Sequence, residues 1–395
     1  MNQTNLSSEF RYLASLFDPT AAYGEKDQSL APYVEWNRLL ALADHNKLSA
    51  ATRARLKNSD IDLLPPEIGT EIWSTETDAV IRSLAMEQAT VEVYKLLEYA
   101  DIASLVVKGV AGSALMGNDH DGIHFSSDVD ILLSPDDFDR AESVLKSAGY
   151  RPDKKNVSFD NPSTRSLMME LSHAHIFEDP RLGVEIDLHH RLLQNAAWMD
   201  IPFADLFDRS QAFQIDGHIV RTLGDADQEL YLLLHMLDHD RLKLKWVVDA
   251  ARAIHRANSP NINRIDHVPM ALSVSRSLLK KLYPNLHMQA GEKHEQEAEI
   301  LLREMDDLSG PQPSSSFAMF AWQRFAQFCR RCVWGGSLRA TRIEITRTAT
   351  DPSDVERLGL GKSWWPLYVL IGPVFIFLRY LKRKREMLSQ SAQTK

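Results

Sequence analysis

At 395 residues the chain is too long for one small domain and predicts two or three packed units. Hydrophobic residues make up 44% and charged residues 25%, a globular composition that excludes global disorder. A formal net charge of −9 argues against coating duplex nucleic acid, which needs a basic surface, and leaves room only for a local basic patch.

The N-terminus lacks a basic stretch followed by an apolar one, so it does not have the form of a secretory signal. Cys329 and Cys332 are the only cysteines. One CxxC cannot by itself supply four zinc ligands, and no thioredoxin-like pattern surrounds it. Two plain neighbours on a helix is the expectation, and the low count fits a reducing, cytoplasmic setting.

From Val34 to Leu56 the residues Val34, Leu39, Leu40, Leu42, Ala43 and Leu48 recur at mostly helical spacing. Pro65-Pro66 punctuates the chain. Glu71 to Tyr99 then predicts one long amphipathic helix with Ile81, Leu84, Ala85, Val91, Leu96 and Leu97 on or near its inner face. Residues 1–100 are thus an N-terminal helical region.

The pattern changes at Ile102. Leu105-Val106-Val107 and Val129 to Leu133 predict strands, and Pro135-Asp136-Asp137 ends the second and starts a helix that closes at Gly149-Tyr150. Ala174 to Phe177 and Gly183 to His189 predict two more strands, and a further short one is expected around Asp216-Gly217, from Ile215 to Val220. Residues 101–222 are the α/β core. Residues 223–308 are helical again, Ser309 to Ser316 is a loop or linker, and residues 309–395 are mostly helical, with an apolar segment and a basic tail.

That apolar segment, Trp364 to Leu381, precedes Lys382-Arg383-Lys384-Arg385. A span needs about 20 predominantly apolar residues. Here Pro366, Gly372 and Pro373 interrupt the run, and two prolines predict a break into helical halves. The segment is therefore expected to pack on the helical region rather than cross a membrane, with peripheral membrane contact as its second reading.

The chemistry concentrates in Lys108-Gly109-Val110-Ala111-Gly112-Ser113 and Ser127-Asp128-Val129-Asp130-Ile131-Leu132-Leu133. Strand residues two apart share a face, so Asp128 and Asp130 project together. Two carboxylates on one face repel unless a cation lies between them, and Mg²⁺ prefers such oxygen ligands. Glu185 and Asp187, on another strand, offer a third carboxylate. A small-residue turn at Gly109 or at Gly112-Ser113 lets backbone N–H groups approach a triphosphate. Lys108 suits a phosphate as a point charge.

These motifs resemble the uncharacterised nucleotidyltransferase family of bacteria, within the DNA polymerase beta-like superfamily. The resemblance lies in Val107-Lys108-Gly109, Asp128-Val129-Asp130-Ile131-Leu132 and Glu185-Ile186-Asp187-Leu188-His189, in that order. It extends to a helical segment at Leu40 to Leu48 and to His235, His239 and Trp246-Val247-Val248-Asp249 downstream, and so covers most of the chain. It implies an α/β (α+β) fold, with a polymerase-beta-like core between N- and C-terminal helical regions. It also implies Mg²⁺-dependent transfer of a nucleoside monophosphate from an NTP to an unidentified acceptor. Asp128 and Asp130 match the metal-binding pair and Asp187 the third carboxylate, with Glu185 in reserve; Lys108, Gly109, Gly112, Ser113 and Ser127 fall where nucleotide contacts are expected. One departure is His124, where the family often carries Arg. The alternative reading is a catalytically degenerate nucleotide-binding regulatory or scaffold protein.

Other groups carry weaker expectations. His189 shares a face with Asp187 and is expected to orient it, while His190 faces the other way. His173 and His175 fit nucleotide contact and plain strand-start polarity equally. His235, Asp238, His239, Asp240 and Asp249 superficially suggest a metal phosphohydrolase, but packing against the core is the preferred role. Asp136, Asp137 and Asp139 suit a helix N-terminus.

Overall fold

The computed structural model describes residues 6–21, 28–59, 65–115, 128–153, 161–239, 241–257, 270–288, 294–308 and 317–393. His124, Ser127, Asp240 and the linker expected at 309–316 lie outside the described residues.

Four helices precede the first strand: α1 (Ser8–Ser15), α2 (Trp36–His45), α3 (Ser49–Ser59) and α4 (Pro66–Tyr99). The Ser7 hydroxyl accepts from the Phe10 N–H at the start of α1, and the Glu35 carboxylate accepts from Asn37 and Arg38 N–H groups at the start of α2. Helix α4 opens on Pro66, where a missing N–H costs nothing. Its buried face is Met86, Ala89, Val93 and Leu97. Val91 is buried as expected, but Ile81 and Leu84 are each 60% exposed. The inner face was thus expected too early, because only the C-terminal part of the helix joins the core beside the sheet.

The next segment holds β1 (Ser104–Val107), α5 (Gly109–Leu115), β2 (Asp128–Leu133), α6 (Phe138–Ser147), β3 (Arg151–Pro152), α7 (Pro162–Leu171), β4 (Ala174–Asp179) and β5 (Val184–His189). The strands form one sheet in the order β1-β2-β5-β4-β3. Only β2 and β5 run parallel; the other neighbours are antiparallel. After α8 (Phe203–Asp208) come β6 (Gln211–Ile215) and β7 (His218–Thr222), which pair as a separate two-stranded sheet. The strand expected across Asp216-Gly217 is therefore a hairpin. Asp216 and Gly217 have φ of 43° and 74° and turn the chain, as an Asp-Gly pair between apolar runs does.

The remaining elements are α9 (Asp225–His235), α10 (Leu244–Ala257), α11 (Met270–Leu282), α12 (Glu295–Asp306), α13 (Phe317–Gly335), α14 (Leu338–Ala349), α15 (Pro352–Leu358) and α16 (Trp365–Gln393). Cys329 and Cys332 sit on α13 as free thiols, matching the plain reading.

Strand alternation divides the core in two. Val129, Ile131 and Leu133 of β2 and Ile186 and Leu188 of β5 face one cluster with α4 and α6. Leu105 and Val107 of β1 and Leu132 of β2 face the other, which unites α1 and α2 with α9 to α12. Helices from both sides of the sheet in sequence thus share one core. The chemically interesting residues of β2 and β5 lie on the face that looks toward it.

Helix α16 is not broken at its prolines, contrary to expectation. Pro366 falls in the first turn, where its missing N–H is harmless, and Pro373 removes only one ladder bond from a helix held by its neighbours. Its start is anchored: Tyr368 is buried with Val355 of α15 and with Leu167, Met168 and Leu171 of α7, inside the segment expected as the α/β core. Gly372 packs so closely on α14 that a Cβ would lie 2.2 Å from the Ala349 carbonyl oxygen. Beyond that, Val374, Phe377 and Leu378 are exposed. Among the described residues no single helix is long and apolar enough to cross a membrane; α15 with the first part of α16 reaches that composition only as a pair bent by 108°.

Candidate active site

The site is assembled by register. In the parallel pair β2–β5, Asp128 stands opposite Glu185, Asp130 opposite Asp187 and Leu132 opposite His189. Directly opposed residues share a face, so one side of these two strands carries the expected carboxylates. Asp130, Asp187 and His189 come closest, with a donor atom from each lying within 4.8 Å of the others. Asp128 is half-buried one step back along the strand, outside this close group, and Glu185 is exposed beside it.

Lys108 enters from the end of β1, whose Val107 pairs with Asp130. Lys108 and Gly109 have φ of 59° and 40°, so the left-handed turn lies at Lys108-Gly109. Gly112 sits inside α5, its N–H bonded to the Lys108 carbonyl at 3.2 Å. The turn points the Lys108 ammonium back to Asp130 Oδ1 at 2.8 Å. His189 Nε2–H donates to the same oxygen, also at 2.8 Å. His189 therefore orients Asp130, and no hydrogen bond joins it to Asp187: strand register puts the two on one face, but the imidazole reaches across to the neighbouring strand. His173 packs edge-on against His189 at 4.9 Å and is held neutral by burial and by the His189 and Lys108 charges.

The electrostatics of the two central carboxylates diverge. Burial raises the Asp130 carboxyl, but the Lys108 charge and the His189 hydrogen bond outweigh it and hold it below the usual range. Asp187 has no such support. Burial, then the charges of Asp130 and Asp128, push it up to about 8, against a smaller opposing pull from Lys108. Its Oδ1 is buried with no hydrogen-bond partner, as is Nδ1 of His189. Orphaned buried acceptors beside a crowded carboxylate are what a cation would satisfy. Asp130, Asp187 and His189, with Asp128 one step back on the same face, are a donor set that a divalent ion fits.

The downstream helices reach this site, which the pattern of the sequence did not reveal. Lys108 Nζ lies 3.3 Å from His235 Nε2 and 5.8 Å over the Tyr231 ring, both on α9. His239 Nε2 lies 3.0 Å from the same His235 nitrogen, and its ring stacks on Trp246 at 3.8 Å. Burial and the Lys108 charge keep His235 neutral and push His239 down to about 3. The i, i+4 spacing of His235 and His239 predicted a shared helix face, but α9 ends at His235 and His239 lies in the turn that follows, which still brings the two rings together; their partner, a lysine more than a hundred residues earlier, has no local signal.

Other sequence candidates sit elsewhere. His175 bonds Glu142 on α6, and His190 donates to the Ser172 carbonyl at 2.8 Å and packs on Phe138. Asp136 and Asp137 occupy a tight turn capped by the Ser134 hydroxyl, and Asp139 lies in the first turn of α6. Asp238 is buried and bound to the Gln194 N–H at 2.5 Å, while Asp249 pairs with Lys245 at 2.6 Å. Neither joins a metal set with His235 and His239.

No curated protein matches the chain significantly. A family model, that of an uncharacterised nucleotidyltransferase, matches residues 32–284, which span α2, the whole five-stranded sheet, the carboxylate face, and α9 and α10 with His235, His239 and Trp246 on or between them. The chain belongs to this uncharacterised nucleotidyltransferase family.

Proposed function

We propose that the protein is a Mg²⁺-dependent nucleotidyltransferase with a polymerase-beta-like core, moving a nucleoside monophosphate from an NTP to an acceptor. The observation that carries this reading is the parallel register of β2 and β5, which sets Asp130 beside Asp187, whose Oδ1 is buried without a hydrogen-bond partner. Asp128, Asp130 and Asp187 would hold the ion. When bound, it would neutralise phosphate charge and polarise the reacting oxygens.

This chain's own residues do the rest. Lys108 offers a fixed positive charge to the triphosphate. His189 holds Asp130 in one orientation. Asp187, beside Asp130 on the neighbouring strand, would be held ionised by the bound cation and is the carboxylate assigned to take the proton of the acceptor hydroxyl. The acceptor oxygen forms a bond to the α-phosphorus, the bond from that phosphorus to the bridging oxygen breaks, and pyrophosphate leaves. Catalysis is then mostly positioning and charge neutralisation.

The test is pyrophosphate release with Mg²⁺, each NTP in turn, and cell extract as the source of acceptor. Asp128→Asn and Asp130→Asn should each lose turnover by roughly 10²-fold or more while keeping a folded circular dichroism spectrum. If both variants turn over like the wild type, the assigned site is wrong.

A further inference from the structure

A cavity of about 450 Å³ opens where α10, α13 and α14 meet the segment after β5. Arg241, Arg324, Arg331 and Arg347 line it, and among the described residues no carboxylate does. The inner arginines are built in. Arg347 bonds Glu344 at 2.8 Å and Gln194, and Arg331 donates to the Asp238 carbonyl at 3.2 Å. Behind them Arg191 spends its guanidinium on the carbonyls of Met169, Glu170, Leu193 and Gln194, adding a charge bonded to no carboxylate. Burial, and after it the neighbouring Arg347 charge, push Arg191 down to about 10 against the opposing charges of Asp238 and Glu170.

The cavity also communicates with the carboxylates. His239 and Trp246 form part of its wall, and His239 touches His235, which touches Lys108, which holds Asp130. We propose that this cavity binds a phosphoryl group of a reactant, either the triphosphate of the nucleotide or a phosphate ester on the acceptor. Planar guanidinium groups match phosphate oxygens two at a time, and a fixed cluster of them recognises phosphate without metal. The proposal deepens the nucleotidyltransferase reading by naming the substrate chemistry, and it rests on that reading for the ligand's role.

The test separates the two. Full-length protein is titrated calorimetrically with inorganic pyrophosphate in EDTA at low ionic strength, so that no ion at the carboxylates can contribute. The wild type and Asp128→Asn should bind alike, and Arg241→Gln/Arg324→Gln should bind at least tenfold more weakly. Arg324 is exposed, so Arg324→Gln alone is the second variant should the pair fail to fold, with a smaller loss expected. No binding by the wild type, or equal binding by the arginine variants, overturns the proposal. A protein that binds pyrophosphate here yet never releases it from Mg-NTP overturns the transferase reading instead. Sodium triphosphate and glycerol 3-phosphate then distinguish the source: tighter triphosphate marks the nucleotide tail, and a tighter monoester marks a phosphorylated acceptor.

Discussion

At the scale of single residues, burial sets which charges the fold tolerates. Glu229 on α9 is buried, with one carboxylate oxygen lacking a partner and Arg276 as the charge facing it. Desolvation lifts its carboxyl from 4.5 to about 7. The folded protein therefore keeps a proton between those values that the unfolded chain has released. Its stability falls as pH rises from 4.5 through about 7 and the loss is complete above that. Glu229→Gln should raise the melting temperature by a few degrees at about pH 8 and leave it unchanged near pH 4.5; equal shifts at both values would remove desolvation as the cause. The common face of Asp128 and Asp130 was legible in sequence because a strand's two-residue period is local; that Asp187 joins it follows from the register of β5 on β2. That His189 bonds Asp130 rather than Asp187 was not legible, because strand neighbours are chosen by topology and not by adjacency in the chain.

At the scale of elements, the places where the sequence misled are those where tertiary contacts override a local rule. Ile81 and Leu84 fit a helical stripe, yet both are exposed, and α4 joins the core beside the sheet only from Met86 onward. Pro373 should end a helix, yet α16 runs through it. The reason lies in its neighbour. Gly372 lets the backbones of α14 and α16 meet, a contact no side chain could replace. Gly372→Val should force them apart, cost roughly 1–3 kcal/mol, and expose the end of α16 to limited proteolysis. A melting temperature and cleavage pattern like the wild type's would show that the two helices do not depend on this contact. The arginine cavity was equally hidden, since its walls come from five separate stretches, and the arginines that three of them contribute look like ordinary surface residues in a net-acidic chain.

At the scale of the whole molecule, one core ties the N-terminal helices to the helices downstream of the sheet, so ligands at the sheet face act on the stability of the entire chain. Mg²⁺ and an NTP together should raise the melting temperature more than either alone, because binding to the native state stabilises by mass action. No shift at millimolar concentrations of both would count against an active nucleotide site. The exposed apolar residues of α16 have a separate test. We expect the native protein to leave the membrane pellet in high salt and carbonate; a requirement for detergent would contradict that expectation.

The left-handed turn at Lys108 gives the acidic face a counter-ion tied to the backbone. A tethered ammonium needs no uptake from solution and cannot be chelated away. Asp130 is thus neutralised as the chain folds, before any ion arrives. This separates the protein from small metal-organised domains, whose ligands stay apart until the ion gathers them. Folding therefore does not wait for an ion, although binding one would add to stability: if the proposed Mg²⁺ dependence holds, chelation should silence transfer and lower the melting temperature somewhat, yet leave a single sharp transition.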